Sequence, residues 1–489
     1  YTRLLKENLN IQVVYDWTAS TSDYDEKMSL CIGSNTIPEI MNVNATQYRA
    51  LLKYDMIQPL DKYFDDYASD ALKSYVKSGG EELQKCITNE DGELMAIPAP
   101  NLTAGGVNEM WIRQDWLDAL GLDVPRTWDE LAEVAKAFVT RDPDGNGEND
   151  TIGILGPGNS DHMNAVGGNQ FGLDPLFSCF QSYPQYWLKS EDGSVEYGSI
   201  QPETKTALEN ISKLYADGVI DPETLVRSDS KEPLLAGKVG IFFGPWWCAY
   251  TFADTTLSGS ADWRAYFTPL SEDGKYYTHM AEPTTQYVVA SKDCKNPEAA
   301  FKIINYIVAN EQKWVEEGVT STEMGTGDFY PLYNTYDNAD EIEKSYEALT
   351  KYLAGDISMD DVDFSTHKLL KNDMEAVTKL KKKPYDDFSL KYWNLDSDLA
   401  KTNLPRLVAI MVGDAPLVNE EYVPVYNAYN GQTETMEAKW ANLKKMEEET
   451  FAKIIMGKAD ISEFDTFVKN WKNQGGDQIL KEINDELSK

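Results

Sequence analysis

The chain has 489 residues, with 45 Lys and Arg against 81 Asp and Glu and a formal net charge of −36. A field this negative repels phosphate backbones and anionic lipid surfaces, which excludes nucleic acid as a partner and favours a monomer. Hydrophobic residues make up 42% and aromatic residues 11% of the chain, more than a disordered acidic polymer carries, so packed cores in two to four domains are expected.

In chain order, Leu4-Leu5-Lys6-Glu7-Asn8-Leu9 reads as the end of a helix already under way, with a preceding segment removed. Ile11–Tyr15 reads as a strand. Short buried strands are expected at Glu39–Val43, Val239–Phe243 and Tyr287–Ser291. Thr127–Arg141 is the clearest helix: Thr127 and Glu130 make a capping box, and Trp128, Leu131, Ala135 and Phe138 fall on one face. A second helix spans Glu203 to Asp217 and stops at Gly218. A third opens at Asn296-Pro297-Glu298 and carries Phe301, Ile304, Ile307 and Val308 as its apolar stripe. Asp91-Gly92, Asp192-Gly193 and Asp273-Gly274 are hairpin signals, because Gly adopts positive φ there. Gly153–Gly172 is the main loop candidate. From Asp340 onward the pattern is helical, with Trp440, Leu443, Met446, Phe451 and Ile454-Ile455 on one long helix. Shorter helices follow at Glu463–Trp471 and Gln478–Leu487.

Five cysteines, an odd number at wide spacing and without Cys-x-x-Cys, read as small buried hydrophobes and not as a disulfide or zinc framework. The longest apolar run, Val239–Phe252, is broken by Gly244-Pro245 and is shorter than the about 20 residues a bilayer span needs.

Asp142-Pro143-Asp144-Gly145-Asn146-Gly147-Glu148-Asn149-Asp150-Thr151 matches the Asp-x-Asp-x-Asn-Gly opening of a calcium loop. Calcium takes about six to eight oxygens, and acids at alternate positions converge as such a loop wraps the ion. Asp142, Asp144 and Asn146 are the side-chain ligands expected, Glu148 a backbone carbonyl, and Asp150 a direct or water-mediated ligand. An EF-hand would end on a bidentate Glu where this chain has Gly153, so a static structural site is expected, not a regulatory one. The competing reading is a metal-free Asp/Asn/Gly turn.

Enzyme signatures are absent. The three histidines, His162, His279 and His367, are not in zinc-protease spacing, and no nucleophile elbow or phosphate loop occurs. Twelve Trp are present, and several sit beside turns and polar residues. Flat indole faces stack on the apolar faces of sugar rings. Trp17, Trp111, Trp246, Trp247 and Trp393 are the stacking candidates. Asn44, Asn101, Arg113 and Tyr287 are polar candidates at expected strand ends or connecting segments.

Several ordered motifs resemble family 1 extracellular solute-binding proteins of ABC importers, among them LipO-type lipoproteins and calcium-binding alginate-binding proteins. They are Asp23-Tyr24-Asp25-Glu26-Lys27-Met28 with Pro38-Glu39-Ile40, Asp91-Gly92-Glu93-Leu94-Met95-Ala96-Ile97-Pro98, and Trp111-Ile112-Arg113-Gln114-Asp115-Trp116-Leu117-Asp118 through Thr127-Trp128-Asp129-Glu130-Leu131. Gly218-Val219-Ile220-Asp221-Pro222-Glu223 and Met456-Gly457 to Gly475-Gly476-Asp477 also fit.

The resemblance implies an α/β, two-lobed, periplasmic-binding-protein-like fold of the class II type, with a ligand cleft between lobes that close on solute and a helical C-terminal extension. Residues 1–106 and 286–340 would form the N-terminal lobe, 107–285 and 341–489 the C-terminal one. It implies an extracellular lipoprotein receptor without enzymatic activity, delivering an oligosaccharide to an ABC permease. It also implies structural Ca2+ in the 142–151 loop, with Thr151 where relatives have an acidic ligand. Aromatics matching Trp246 and Trp393 stack on sugars in the alginate binders. The acidity of this chain favours a neutral sugar. A receptor for peptides or other small solutes, a polysaccharide-degrading enzyme with an acid pair about 5 or about 6.5–9.5 Å apart, and a calcium-stabilised adhesion protein are the alternatives.

Overall fold

Two apolar runs far apart in sequence, Ile40–Asn44 and Gln286–Ala290, pair antiparallel, with Ile40 opposite Ala290 and Asn44 opposite Gln286. Ile97–Pro98 adds to the other edge of Gln286–Ala290. Along Ile40–Asn44 only Met41 and Val43 are buried, the alternation of a strand with one packed face. Helices Ala45–Lys53, Asp70–Ser78, Gly80–Ile87 and Glu298–Glu316 supply Leu51, Leu72, Tyr75, Leu83, Phe301 and Ile304 to the same core. The structure is a computed structural model that describes every residue except Tyr1, 159–169, 259–260, 317–331, 333–335, 365–366, 368–369, 379–397 and 488–489.

The chain folds as two compact units, each built from separated stretches. The first comprises residues 1–102, 282–341 and 363–368, and the second 103–281, 342–362 and 369–489. Against the sequence boundaries at 106, 285 and 340, the chain changes unit after Leu102, Ala281 and Glu341, and residues 363–368 rejoin the first unit.

The second unit is built on a mixed four-stranded sheet in the order Ile152–Leu155, Val239–Gly244, Glu109–Arg113, Trp263–Tyr266. The first pair is parallel and the others antiparallel. Met110 and Ile112 face a core with Leu131, Phe138, Leu208 and Ile211, closed by Phe451, Phe467 and Trp471 of the C-terminal helices. Trp111 points to the other face, where it meets Phe242 and Phe252.

The helix caps follow the sequence closely. In Trp128–Thr140, Thr127 Oγ1 accepts from the Glu130 amide at 3.3 Å and Glu130 Oε2 accepts from the Thr127 amide at 3.0 Å. Pro202–Ala216 ends before Gly218, whose φ is +72°. Asp192-Gly193 joins the antiparallel strands Trp187–Lys189 and Val195–Tyr197.

Four expectations are corrected. Ile11–Tyr15 is not a strand: Ile11 and Val13 pack in the cluster around Ile303, Ile307 and Trp314, while Val14 and Tyr15 are exposed and pair with no strand among the described residues. Gly153–Leu155 belongs to a buried strand and not to a loop, because the apolar run fits under the helix Trp128–Thr140. Asp273-Gly274 makes a turn but closes no hairpin, because Tyr276–His279 pairs parallel with Tyr422–Val425. That last strand lies in the region read as helical, where Pro424 and partial exposure hide it. All five cysteines are free thiols, four of them buried. Burial pushes the Cys179 thiol up to about 12 and Cys86 up to about 11, so neither is a nucleophile near neutrality.

Candidate ligand-recognition site and acidic loop

Strand Val239–Gly244 is wholly buried and ends on Gly244-Pro245, after which the chain makes one tight turn, Trp246–Cys248, into the helix Ala249–Ser258. Only glycine fits at 244, since a Cβ there would lie 2.5 Å from Cys248 Sγ. The turn presents Trp246, 5% exposed, with its ring edge-on to Tyr250 at 6.3 Å and its Nε1 without a hydrogen-bond partner among the described residues. Trp247 is half-buried.

Two segments meet this turn. Glu109 opens the strand Glu109–Arg113 and sits opposite Gly244 in the ladder. The π-helical turn Ala409–Gly413 lies against Trp246 so closely that a Cβ on Gly413 would come within 2.7 Å of the Trp246 carbonyl oxygen and 2.9 Å of Trp111 Cζ2. Asp414 follows it. Glu109 and Asp414 are both 0% exposed, and none of their four carboxyl oxygens has a hydrogen-bond partner among the described residues. Burial, then the charge of Asp414, holds the Glu109 carboxyl far above the usual carboxylate range; burial, then Glu343, does the same to Asp414. Neither acid was singled out from the sequence. Their signal is a lone charge inside an apolar run, Glu109 before Met-Trp-Ile and Asp414 within Leu407–Leu417.

The other candidates separate. Trp17 is half-buried in the first unit, tilted against Tyr24 at 5.3 Å, and its buried Nε1 has no partner among the described residues. Trp111 is corrected to a core residue: it is 0% exposed, stacks on Phe242 at 6.1 Å, and donates through Nε1 to the Gly244 carbonyl at 3.2 Å. Arg113 is a structural ion: both carboxyl oxygens of Asp115 hold it, at 2.8 and 2.6 Å, and it lies 4.5 Å over the Trp116 ring. Tyr287 is buried, stacked on Tyr48 at 4.4 Å, with its hydroxyl on the Thr284 carbonyl. Asn44 is consumed as a helix cap. Its Oδ1 accepts from the Gln47 amide and its Nδ2 donates to Asp25. Asn101 ties its segment to Glu282 and Pro283 through backbone carbonyls. Trp393 lies outside the described residues.

In the acidic loop, Asp142 accepts from the amides of Asn146 and Gly147 at 3.1 and 3.0 Å. The Asn146 side-chain amide donates to Asp144 at 2.9 Å and to Asp150 at 3.2 Å. Positive φ at Gly145 and Gly147 permits the tight winding. Burial and neighbouring Asp142 raise Asp144, whereas the Lys238 ammonium, 2.8 Å away, lowers Asp150. Glu148 is exposed, and its amide donates to Asn146 Oδ1. Thr151 offers no side-chain ligand, because its hydroxyl is buried on the Phe138 carbonyl at 2.6 Å. Among the described residues, no group of three or more His, Cys, Asp or Glu is placed to hold a metal ion. The donor chemistry of the loop is that of a hard cation, all oxygen, but hydrogen bonds to Asn146 and the Lys238 ion pair engage those oxygens.

The chain belongs to the bacterial extracellular solute-binding protein family, whose model matches residues 2–314. It is 30% identical over 246 residues to the fructooligosaccharide ABC transporter substrate-binding protein FusA of Streptococcus pneumoniae, covering 47% of this chain and 43% of FusA. It is 28% identical to lipoprotein LipO of Bacillus subtilis over 49% of this chain, covering 45% of that relative. These two matches thus span less than half of either relative. The polygalacturonan/rhamnogalacturonan-binding protein YtcQ of Bacillus subtilis is 24% identical across 94% of this chain and 82% of its own. Among solved structures, an HMO-binding ABC-transporter-associated solute-binding protein of Bifidobacterium longum infantis superposes with a TM-score of 0.61 at 17% identity, covering 98% and 92% of the two chains. Alginate-binding protein AlgQ2, solved without calcium ion, gives 0.59 at 16%, covering 100% and 94%. These likenesses establish the two-lobed α/β solute-binding fold. Among the described residues no helix is long and apolar enough to cross a membrane.

Proposed function

We propose that this chain is the oligosaccharide receptor of an ABC importer, a carrier without catalytic activity that hands its solute to a membrane permease. The observation that carries the reading is Trp246. It stands directly after a buried strand end, packed so closely that Gly244 and Gly413 leave no room for side chains, and its N–H meets no acceptor among the described residues. Strand ends of α/β sheets are where ligands are held. An indole there combines an apolar face for a sugar ring with a donor for a hydroxyl. The family and the sugars bound by FusA and YtcQ support the same reading.

Surface attachment through a lipid is part of the proposal, on the likeness to lipoprotein LipO. So is structural calcium in the loop of Asp142, Asp144, Asn146, Glu148 and Asp150, in which three carboxylates converge on one residue, Asn146, Asp142 through its backbone N–H and Asp144 and Asp150 through its side-chain amide. The ion would neutralise crowded acids and brace the loop, away from solute recognition.

Calorimetry against a panel of oligosaccharides and oligopeptides tests the reading. Saturable binding of at least one oligosaccharide is expected, with no product by mass spectrometry after prolonged incubation. Binding confined to peptides, or cleavage of any glycan, sinks it.

A further inference from the structure

The Trp246 indole makes no hydrogen bond of its own among the described residues, so its N–H does not tie the ring down. What holds it acts on its backbone. Trp111 Nε1 donates to the Gly244 carbonyl at 3.2 Å, two residues before Trp246. Trp111 is itself wedged in the core of the second unit: it is 0% exposed, stacked on Phe242 at 6.1 Å and edge-on to Phe252 at 5.1 Å.

Gly413 closes on the same turn. A Cβ built there would lie 2.7 Å from the Trp246 carbonyl oxygen, 2.9 Å from the Trp246 Cα and 2.9 Å from Trp111 Cζ2. One glycine thus lies against the backbone of one tryptophan and the ring of the other. It ends the π-helical turn Ala409–Gly413, which is wholly buried. The amide that follows, of Asp414, donates to the Ala409 and Ile410 carbonyls at 3.1 and 3.2 Å. Such wide turns are rare, occur mostly one at a time, and are frequent at functional sites. Here the turn delivers a bare backbone to the Trp246 backbone.

We propose that Trp111 and Gly413 are positioning residues, a clamp on the backbone of the Trp246 turn that pre-organises the indole for solute. Resting on the receptor reading above, the clamp adds two residues that touch no solute. They fix the Cα from which the indole projects. A side chain already held where it binds loses less freedom on binding, so affinity rises without a new contact.

Gly240 provides the control. It lies in the same strand, and a Cβ there would meet Phe138 Cδ2 at 2.2 Å, in the core and not at the turn. Gly240→Ala should therefore cost stability without disturbing the indole.

The test labels the full chain with 5-fluorotryptophan and assigns the Trp246 fluorine resonance by its loss in Trp246→Phe. Gly413→Ala and Trp111→Phe, which removes the donor to Gly244, should each move or split that resonance. Gly240→Ala should leave it in place. Calorimetry with kestose, lacto-N-tetraose and trigalacturonate identifies the sugar that the wild type binds most tightly. For that sugar Gly413→Ala should weaken binding about tenfold and Trp111→Phe severalfold, since a loosened support shell misplaces the group it carries. Gly240→Ala should stay within twofold, although thermal melts show it less stable than the wild type. If Gly413→Ala fails to fold, Trp111→Phe decides. An unmoved Trp246 resonance, or affinity within twofold of the wild type, in the folded clamp variants overturns the clamp and leaves the receptor reading intact. An equal loss of affinity in Gly240→Ala does the same, because it makes the effect one of general stability. No binding of any of the three sugars by the wild type, with oligopeptides binding instead, overturns both.

Discussion

Two tryptophans of the same unit show how burial separates roles. Trp111 and Trp246 both lie against Gly413, yet among the described residues only Trp111 has a partner for its N–H and a stacked aromatic neighbour. Trp111→Ala is expected to lose about 3–5 kcal/mol of stability, as large buried aromatics do, measured by denaturant unfolding. Trp246→Ala should cost less stability and at least tenfold in affinity for whichever oligosaccharide binds, measured by calorimetry. Equal sugar affinity in the wild type and Trp246→Ala would remove that indole from the site.

Asp174 gives a pH dependence with a definite sign. Burial pushes its carboxyl up to about 7, against the lowering hydrogen bonds from Asn108 at 2.7 Å and from its own backbone amide. Between about 4 and 7 the unfolded chain has released this proton while the folded chain retains it. Its contribution to stability is therefore full in acid, falls as pH rises through that window, and stays low above it. His279 acts oppositely: burial between Tyr183 and Tyr186 lowers it to about 3, so its contribution is lost as pH falls from about 6.5 toward 3. Subtracting the stability-versus-pH curve of Asp174→Asn from that of the wild type isolates the first effect. A flat difference between pH 4 and 7 refutes it.

At the scale of elements, the acidic loop is the piece whose behaviour depends on what it binds. Its carboxylates are crowded enough to raise Asp144, and the ammonium of Lys238 pairs with Asp150 at 2.8 Å. Wild-type protein should melt several degrees higher in millimolar calcium than in chelator, because a ligand of the folded state alone stabilises by mass action. Asp142→Ala with Asp144→Ala should abolish the difference and leave sugar affinity nearly unchanged. Identical melting of the wild type in calcium and chelator would retire the metal and leave the Asp/Asn/Gly turn.

The helices were the elements most legible in the sequence. The capping box at Thr127 and Glu130, the stop at Gly218 and the stripe of Phe301, Ile304 and Ile307 stand where local rules put them, since caps and amphipathic faces are fixed within a few residues. Strands were less legible. Ile11–Tyr15 has the composition of a strand but no ladder to join, and Tyr422–Val425 has a ladder but a weak composition.

For the whole molecule, the discontinuity of both units has a consequence for fragments. In the first unit, Gln286–Ala290 is the strand between Ile40–Asn44 and Ile97–Pro98. A fragment of residues 1–102 lacks it and leaves two edges without their shared partner. It should show little cooperative unfolding by circular dichroism, and recover it only when residues 282–341 are supplied. A sharp two-state melt of residues 1–102 alone would contradict the architecture.

The sequence by itself determined the helices, the acidic loop, the absence of enzyme signatures and the likeness to a solute-binding family, because each rests on neighbours in the chain. It also placed Trp246 and Trp247 at a strand end. Tertiary structure alone decided which polar residues were already engaged. Arg113, Asn44 and Tyr287 look as able to meet a ligand as any others, until Asp115, Gln47 and Tyr48 take up their hydrogen bonds and faces. It alone brought Glu109 and Asp414, some three hundred residues apart in sequence, to the turn at Trp246. Burial and hydrogen-bond satisfaction belong to the folded surroundings and not to the residue, and so no local pattern encodes them.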